Sequence, residues 1–153
     1  MIYNKNIACI EKLLNKKILN FKLLSNSFGI NCIKIFTLDN KKFVVKFYKN
    51  GLDKFNAIEA ESKNLIFLNN LNLNFFPRVY SDNNNYLIMS YIESNQKQSA
   101  TTKNDLLNAI TFLHSFKSRS YGFDFDTQIG GLKQINKKED NWVSFYREKR
   151  LGY

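Results

Sequence analysis

A charged side chain stands inside one of the most apolar stretches of the sequence. Lys46 lies within the run FVVKFY, and the alternation of an extended strand would put Val44 and Tyr48 on its own face. Removing an ammonium group from water is costly unless a negative group meets it. Lys46 is therefore expected to have an acidic partner in the folded protein.

The best candidate for that partner is Glu61, in the next amphipathic segment. Glu61 follows Ile58 by three residues and precedes Leu65 by four, which places it on the apolar side of a helix. Glu59 would point about 160° away from Glu61, because each helical residue turns by roughly 100°. The spacing predicts that a strand and a helix bring opposite charges to the same interior, while Glu59 faces solvent.

A lysine and a glutamate placed in this way have a known chemical use. Nucleotide-dependent kinases bind the α and β phosphates with a strand lysine and hold that lysine with a glutamate on the adjacent helix. The alternative is a lysine whose stem packs on the sheet while its amine reaches water. From Lys46 and Glu61 alone, both interpretations stay open.

Two further segments carry weaker signals for a nucleotide site. Residues 25–31 lie between two predicted strands, where a phosphate-covering loop belongs, but they contain only Gly29, whereas phosphate cradles usually carry two or three glycines. An ordinary hairpin turn is the alternative. Tyr86–Ile92 runs from an apolar strand into a polar linker, where Met89 would stand beside an adenine ring or simply at the edge of the core.

The elements that must position these residues can be read from hydrophobic periodicity and turn residues. The first half is predicted to contain a helix over residues 5–16, strands at Ile18–Leu24, Ile30–Leu38 and Phe43–Tyr48, and a helix over 53–71. A hairpin of Arg78–Ser81 with Tyr86–Ile92 across an asparagine-rich turn follows, and then a polar linker, Glu93–Thr102. The remainder is predicted to contain a helix with Leu106, Leu107, Ile110 and Leu113 on one side, an irregular segment 118–138 and a short helix near 140–150. Three strands in succession favour an antiparallel meander. The predicted fold class is α+β.

Composition limits the classes of protein to consider. The chain has 153 residues and a net charge of +10, mostly from residues 1–54, with 19 lysines but four arginines. Frequent Lys, Asn, Ile and Phe point to an A- and T-rich codon bias, so no nucleic-acid partner is expected. Cys9 and Cys32 lack metal-ligand spacing, and no segment reads as a membrane span or a secretion signal. We expect a soluble cytoplasmic protein without a structural metal or a membrane partner.

Taken together, these segments resemble the fructosamine kinase family, within the protein-kinase-like fold shared with aminoglycoside and choline kinases. Residues 27–31 are similar to the family's Gly-Gly-Ser-Ile-Asn loop and residues 43–46 to its Phe-Phe-Val-Lys strand. The most specific series consists of Tyr121-Gly122-Phe123-Asp124, Ile129-Gly130, Gln134, Asn136, Asn141-Trp142-Val143, Phe145 and Arg150-Leu151. The likeness runs from about Ser27 to Leu151.

The resemblance implies a protein-kinase-like first lobe over residues 1–92, with an antiparallel sheet of about five strands plus one main helix, and a hinge with the first helical part of a second lobe over 93–153. It implies ATP- and magnesium-dependent phosphorylation of a sugar hydroxyl of ketosamines, either small or protein-bound. The residues that would hold the nucleotide are Gly29, Ile30 and Asn31 over the phosphates, Lys46, Glu61, and Met89, Ser90 and Tyr91 at the adenine.

Departures from the family pattern qualify these expectations. The family's catalytic and metal-binding aspartates lie downstream of Arg150-Leu151, so the general base is expected beyond Tyr153 and this chain alone is predicted to be inactive. Ser27 and Phe28 stand where the family has glycines. His114 is expected to pack in its helix rather than to catalyse. Two alternatives remain: a kinase for another small molecule, or a non-catalytic remnant that binds nucleotides or polyanions.

Overall fold

The computed structural model describes residues 2–50, 55–73, 75–83, 85–94, 99–130 and 132–152. Its elements are α1 (Ile2–Leu14), β1 (Ile18–Ser27), β2 (Ile30–Thr37), β3 (Lys42–Tyr48), α2 (Ala57–Asn70), β4 (Val79–Asn83), β5 (Tyr86–Ser90), α3 (Thr102–Ser115), β6 (Thr127–Ile129), β7 (Leu132–Gln134), α4 (Trp142–Tyr146) and a π-helical turn (Arg147–Leu151). Most bounds lie within three residues of the predicted ones.

The strands before α3 form one antiparallel sheet in the order β1-β2-β3-β5-β4. The predicted meander of the first three strands and the predicted α+β fold are therefore confirmed. The β4–β5 hairpin joins the free edge of β3 through β5. Asn84, in the predicted turn of that hairpin, lies outside the described residues.

Both faces of this sheet are covered. On one face, Ile33, Val45 and Phe47 pack with Ile10 of α1 in a fully buried cluster. On the other face, Leu87 and other side chains of the sheet pack against α2. Because side chains alternate along a strand and the adjacent residues Val45 and Phe47 face α1, Lys46 points to the α2 side.

The start of α2 and the segment after α3 differ from the prediction. Helix α2 begins at Ala57, since the side chain of Asn56 caps it by accepting from the Glu59 N–H at 3.1 Å. Residues 53 and 54, predicted as helical, lie outside the described residues, as do residues 95–98 of the predicted linker. The irregular interpretation of 118–138 is wrong for Thr127–Ile129 and Leu132–Gln134, which pair as the hairpin of β6 and β7. Its three-residue strands are too short to show a period.

The chain divides into two compact units, Met1–Ile92 with Phe125–Ile135, and Glu93–Asp124 with Asn136–Tyr153. The sequence division at residue 92 assigned 125–135 to the second lobe, but the β6–β7 hairpin belongs with the first unit, where β6 packs against α2. In the second unit, α3 has no buried residue. His114 is exposed there, so the packing role expected for it is not observed. None of the described helices has both the length and the hydropathy of a membrane span.

Candidate functional site

The predicted charge pair between the sheet and α2 is present. The Nζ atom of Lys46 donates to both carboxylate oxygens of Glu61, at 2.6 and 2.8 Å. Both side chains keep 26% of their surface exposed, so the pair can be reached by a ligand. Glu59 pairs instead with Lys63 one turn further on, at 2.7 Å, as expected for a solvent-facing residue. The spacing argument for this pair is confirmed.

A tyrosine ties the beginning of α2 to the strand that carries Lys46. The hydroxyl of Tyr48 accepts from the Ala57 N–H at 2.8 Å and donates to the Phe55 carbonyl at 3.4 Å. Tyr48 is two residues from Lys46 and on the same face of β3. This tie therefore holds the beginning of α2, the helix that carries Glu61, close to the strand that carries Lys46. The sequence interpretation used Tyr48 only as an apolar neighbour of Lys46 and missed this role.

An asparagine ties the other end of α2 to the edge of the sheet. The Asn69 amide donates to the Pro77 carbonyl and its oxygen accepts from the Val79 N–H, both at 3.1 Å. One side chain thus satisfies two backbone groups where β4 begins. Sequence reasoning also missed this residue, since one asparagine among many carries no distinctive signal.

The predicted phosphate-covering loop is a tight hairpin turn. Ser27 pairs with Ile30, and the two residues between them have positive φ, 52° at Phe28 and 73° at Gly29. Positive φ at both central positions is typical of a type I′ turn. The Gly29 carbonyl accepts from the Lys49 N–H at 2.8 Å, which fixes the tip to the end of β3. The turn offers fewer backbone donors than a glycine-rich loop.

The other two residues predicted over the phosphates differ in exposure. Asn31 is 1% exposed, and its side-chain oxygen accepts from the Asn26 amide at 3.1 Å. Its carboxamide therefore braces the hairpin from within. Ile30 is partly buried against the α2 side of the sheet. Cys32 lies opposite Lys46 in the pairing of β2 with β3, and burial raises the pKa of its thiol.

The predicted adenine-binding segment has fewer free donors than expected. The Ser90 N–H donates to the Arg78 carbonyl at 2.8 Å, and the Tyr91 N–H donates to the Lys42 carbonyl at 3.4 Å. Both groups complete the pairing of the sheet, so neither is available to a base edge. Met89 is buried on the α2 side of the sheet. Its polarisable side chain is the clearest contact that this segment offers to a ring.

The carboxylates of the described residues do not form a metal site. No group of three or more His, Cys, Asp or Glu side chains comes together within the described ranges. Asp126 pairs with Lys133 at 2.9 Å, and Asp124 pairs with Lys138 while 83% of its side chain stays exposed. Among the described residues the carboxylates therefore do not gather into the oxygen-ligand set that Mg²⁺ prefers, whereas the ammonium group of Lys46 is of a kind that binds phosphate oxygens.

The family-specific residues of the second unit form a structural cluster. Asn136 is 1% exposed and accepts from the Arg150 guanidinium, which lies 4.7 Å from the centroid of the Phe145 ring. Gly122 has φ of +117°, and a Cβ atom there would lie 2.6 Å from the Asn136 carbonyl oxygen. Trp142 stacks on Phe145 at 5.9 Å. These residues were singled out because they mark a family, and here they hold a loop and a helix together.

A five-stranded antiparallel sheet crossed by one helix, with a lysine–glutamate pair between them, is the arrangement of the nucleotide-binding lobe of protein-kinase-like phosphotransferases. The family model for fructosamine kinase matches residues 10–153 of the chain. The chain therefore belongs to the fructosamine kinase family, as its motifs indicated.

Relatives and solved structures agree with this membership. The chain is 34% identical over 70 residues to the chloroplastic protein-ribulosamine 3-kinase of Arabidopsis thaliana, an alignment covering 44% of this chain and 21% of that protein. It is 28% identical over 99 residues to a probable ketoamine kinase of Pasteurella multocida, an alignment covering 61% of this chain and 34% of that protein.

A candidate fructosamine-3-kinase of Haemophilus somnus superposes with a TM-score of 0.81 at 22% identity, covering 99% of this chain and 54% of that one. The structure from Thermobifida fusca gives 0.79 at 19%, covering 96% and 51%. The chain thus spans about half the length of these solved structures.

Proposed function

We propose that this chain supplies the nucleotide-binding half of an ATP-dependent kinase that phosphorylates a sugar hydroxyl of ketosamines. The observation that carries the proposal is the bidentate contact of Lys46 with Glu61, made between the sheet and α2 and still open to a ligand. Family membership supports the substrate class, because the relatives are described as ribulosamine and ketoamine kinases.

Each predicted residue has a part in the proposed site. Lys46 would bind the α and β phosphates, since an ammonium group forms strong charge-assisted bonds with phosphate oxygens. Glu61 would hold the Lys46 amine in position against the phosphates. The Gly29 turn, with Ile30 beside it, would cover the phosphates, and the buried Asn31 would hold that turn in shape. The buried Met89 side chain, with Ser90 and Tyr91 after it, would line the adenine pocket.

The remaining catalytic groups are assigned to the other half of the family fold. Mg²⁺ would neutralise charge on the β and γ phosphates, and a carboxylate base would accept the proton of the sugar hydroxyl. The described residues provide neither set, so we expect the 153-residue chain by itself to turn over no fructosamine. A reducing, cytoplasmic setting is part of the proposal.

Nucleotide binding by the purified chain tests the proposal. We expect ATP to bind the unmodified chain and to bind Lys46→Met at least about tenfold more weakly, because the substitution removes the ammonium contact. Lys22→Met, on the exposed strand β1, is the matched control and should bind ATP normally. Absence of ATP binding, together with strongly salt-dependent DNA binding, would instead support a polyanion-binding protein. A panel of fructosamines and aminoglycosides, tested with a form of the protein that also carries the catalytic and metal-binding groups, separates the two kinase interpretations.

A further inference from the structure

Helix α2 has one buried residue, Ala60, on the side opposite its sheet-facing residues. Ile58, Ser62 and Leu65 are buried on the side of the sheet, and Ala57 and Ala60 are also buried, at 6% and 4% exposure. A rotation of roughly 100° per residue puts Ala60 about 160° from Ile58, on the far side of the helix. Another part of the chain must exclude water from Ala60.

Strand β6 is the described element placed to do so. Of the described elements that contact α2, β4 and β5 belong to the sheet, whereas β6 does not. Thr127, the first residue of β6, is itself 7% exposed. The small side chain of Ala60 leaves room for a strand to approach the helix closely.

The β6–β7 hairpin is braced from within. The Thr127 hydroxyl donates to the Gln134 side-chain oxygen at 3.4 Å, and Lys133 pairs with Asp126 at 2.9 Å across the two strands. Gly130, at the end of β6, has a positive φ of 56° that a residue with a side chain adopts only with strain. A short hairpin held by such contacts can act as a firm support.

We infer that the β6–β7 hairpin clamps α2 against the sheet and so positions Glu61 on Lys46. The ends of α2 are held by Tyr48 and Asn69, as described above, but end ties alone do not prevent the middle of the helix from turning or lifting. We place the clamp at Ala60 because it is the buried neighbour of Glu61 in the sequence and because β6 contacts α2. Ala60 and Thr127 are thus positioning residues, which act through Glu61 and touch no substrate.

A substitution at Ala60 tests the clamp without any nucleotide. Ala60→Leu adds bulk at the inferred contact with β6, and Lys63→Leu adds a similar side chain at an exposed position of the same helix. We expect Ala60→Leu to speed hydrogen exchange of residues 57–65 about tenfold relative to β3, since overpacking promotes local opening. Lys46 should also react severalfold faster with an amine-selective reagent. Lys63→Leu should change neither rate. Ala60→Ser, which adds only a small side chain at the same position, should show both rates as they are in the unmodified chain.

The outcomes decide the inference in either direction. Unchanged exchange in α2 and unchanged Lys46 reactivity in a folded Ala60→Leu chain would overturn it. If Ala60→Leu does not fold, Thr127→Ala removes buried contact from the hairpin without adding bulk, and it should raise the same two rates by a smaller factor. The importance of the clamp for catalysis rests on the proposed function. Neither readout uses ATP, however, so failure of ATP binding contradicts the proposed function and leaves the clamp to be judged on its own.

Discussion

The two long helices that follow the first strands are equal in length and opposite in environment. Helices α2 and α3 each have 14 residues, and each carries apolar side chains at helical spacing. Five residues of α2 are buried, whereas no residue of α3 is, and Leu106 and Leu107 of α3 are about 60% exposed. A helix of this length is marginal in water by itself, so its packing decides its stability.

The difference shows that an amphipathic pattern does not predict which part of the chain covers the apolar side of a helix. The pattern predicts that a helix has an apolar side, but the rest of the chain decides what covers it. Helix α2 packs against the sheet and against β6. The side chain of Asn56 caps its first turn, and the side chain of Asn69 ties its last turn to the Pro77 carbonyl. Helix α3 begins at Thr102, and the side chain of the preceding residue, Thr101, makes no capping bond. The candidate site depends on α2, the better-supported of the two.

Hydrogen exchange should show the largest contrast between these helices. Amides of α2 are expected to open only with large rearrangements of the first unit, whereas those of α3 open locally. We expect protection in the middle of α2 to exceed that in α3 by about 100-fold or more, as measured by exchange followed by mass spectrometry or NMR. Equal protection in the purified chain would show that α3 is covered after all.

Asn69→Ala should have the next largest effect. The substitution leaves the Pro77 carbonyl and the Val79 N–H without their partner, and a polar group left unsatisfied costs about 1–3 kcal/mol. Urea denaturation should therefore show a loss of this size in the free energy of unfolding. The matched change in α3, Asn108→Ala at an exposed position, should alter it by less than about 0.5 kcal/mol. Similar losses for both variants would remove the distinction between the helices.

Ser62→Ala should stabilise the protein. Among the buried side-chain atoms of the described residues, the Ser62 hydroxyl is left without a hydrogen-bond partner on the sheet-facing side of α2. Alanine removes that cost and favours the helix, so a gain of roughly 1 kcal/mol in the free energy of unfolding is expected. A loss of stability would mean that the hydroxyl has a partner in solution.

Acid should weaken the contact between α1 and β1 by a small amount. The Ile18 N–H and the Lys17 amine both donate to Glu11, which holds the pKa of that carboxyl below its usual value. A folded-state pKa lower than the unfolded one adds stability above the unfolded pKa, and that stability disappears as the pH falls through the folded pKa. Glu11→Gln should therefore flatten the decline in thermal midpoint below about pH 5. An unchanged pH profile in Glu11→Gln would argue against this contribution.

The charge pair was predictable because it follows from local rules. Lys46 interrupts an apolar strand, and Glu61 occupies the apolar side of the next helix, so alternation and helical rotation place them without any knowledge of the fold. The ties of Tyr48 and Asn69 were not predictable in this way. They join side chains to backbone groups whose positions exist only after the sheet has formed.

The β6–β7 hairpin and the adenine segment show the same limit. Three-residue strands have no measurable period, and the return of residues 125–135 to the first unit is a tertiary event. The sequence placed Ser90 and Tyr91 at the adenine, but it did not show that the register of the sheet engages the N–H groups of both. The family series was the best guide to membership, although residues such as Asn136 and Arg150 serve the fold of the second unit.

Protection of Lys46 by ATP is the most direct measurement of the central claim. The rate of amine labelling at Lys46 is compared with and without ATP, with Lys22 as the internal reference, in the unmodified chain and in Glu61→Gln. At an ATP concentration about ten times the dissociation constant, labelling of Lys46 should slow about tenfold while Lys22 is unaffected. The protection should be weaker in Glu61→Gln at the same ATP concentration. Equal labelling of Lys46 in the presence and absence of ATP would contradict a nucleotide site at this pair.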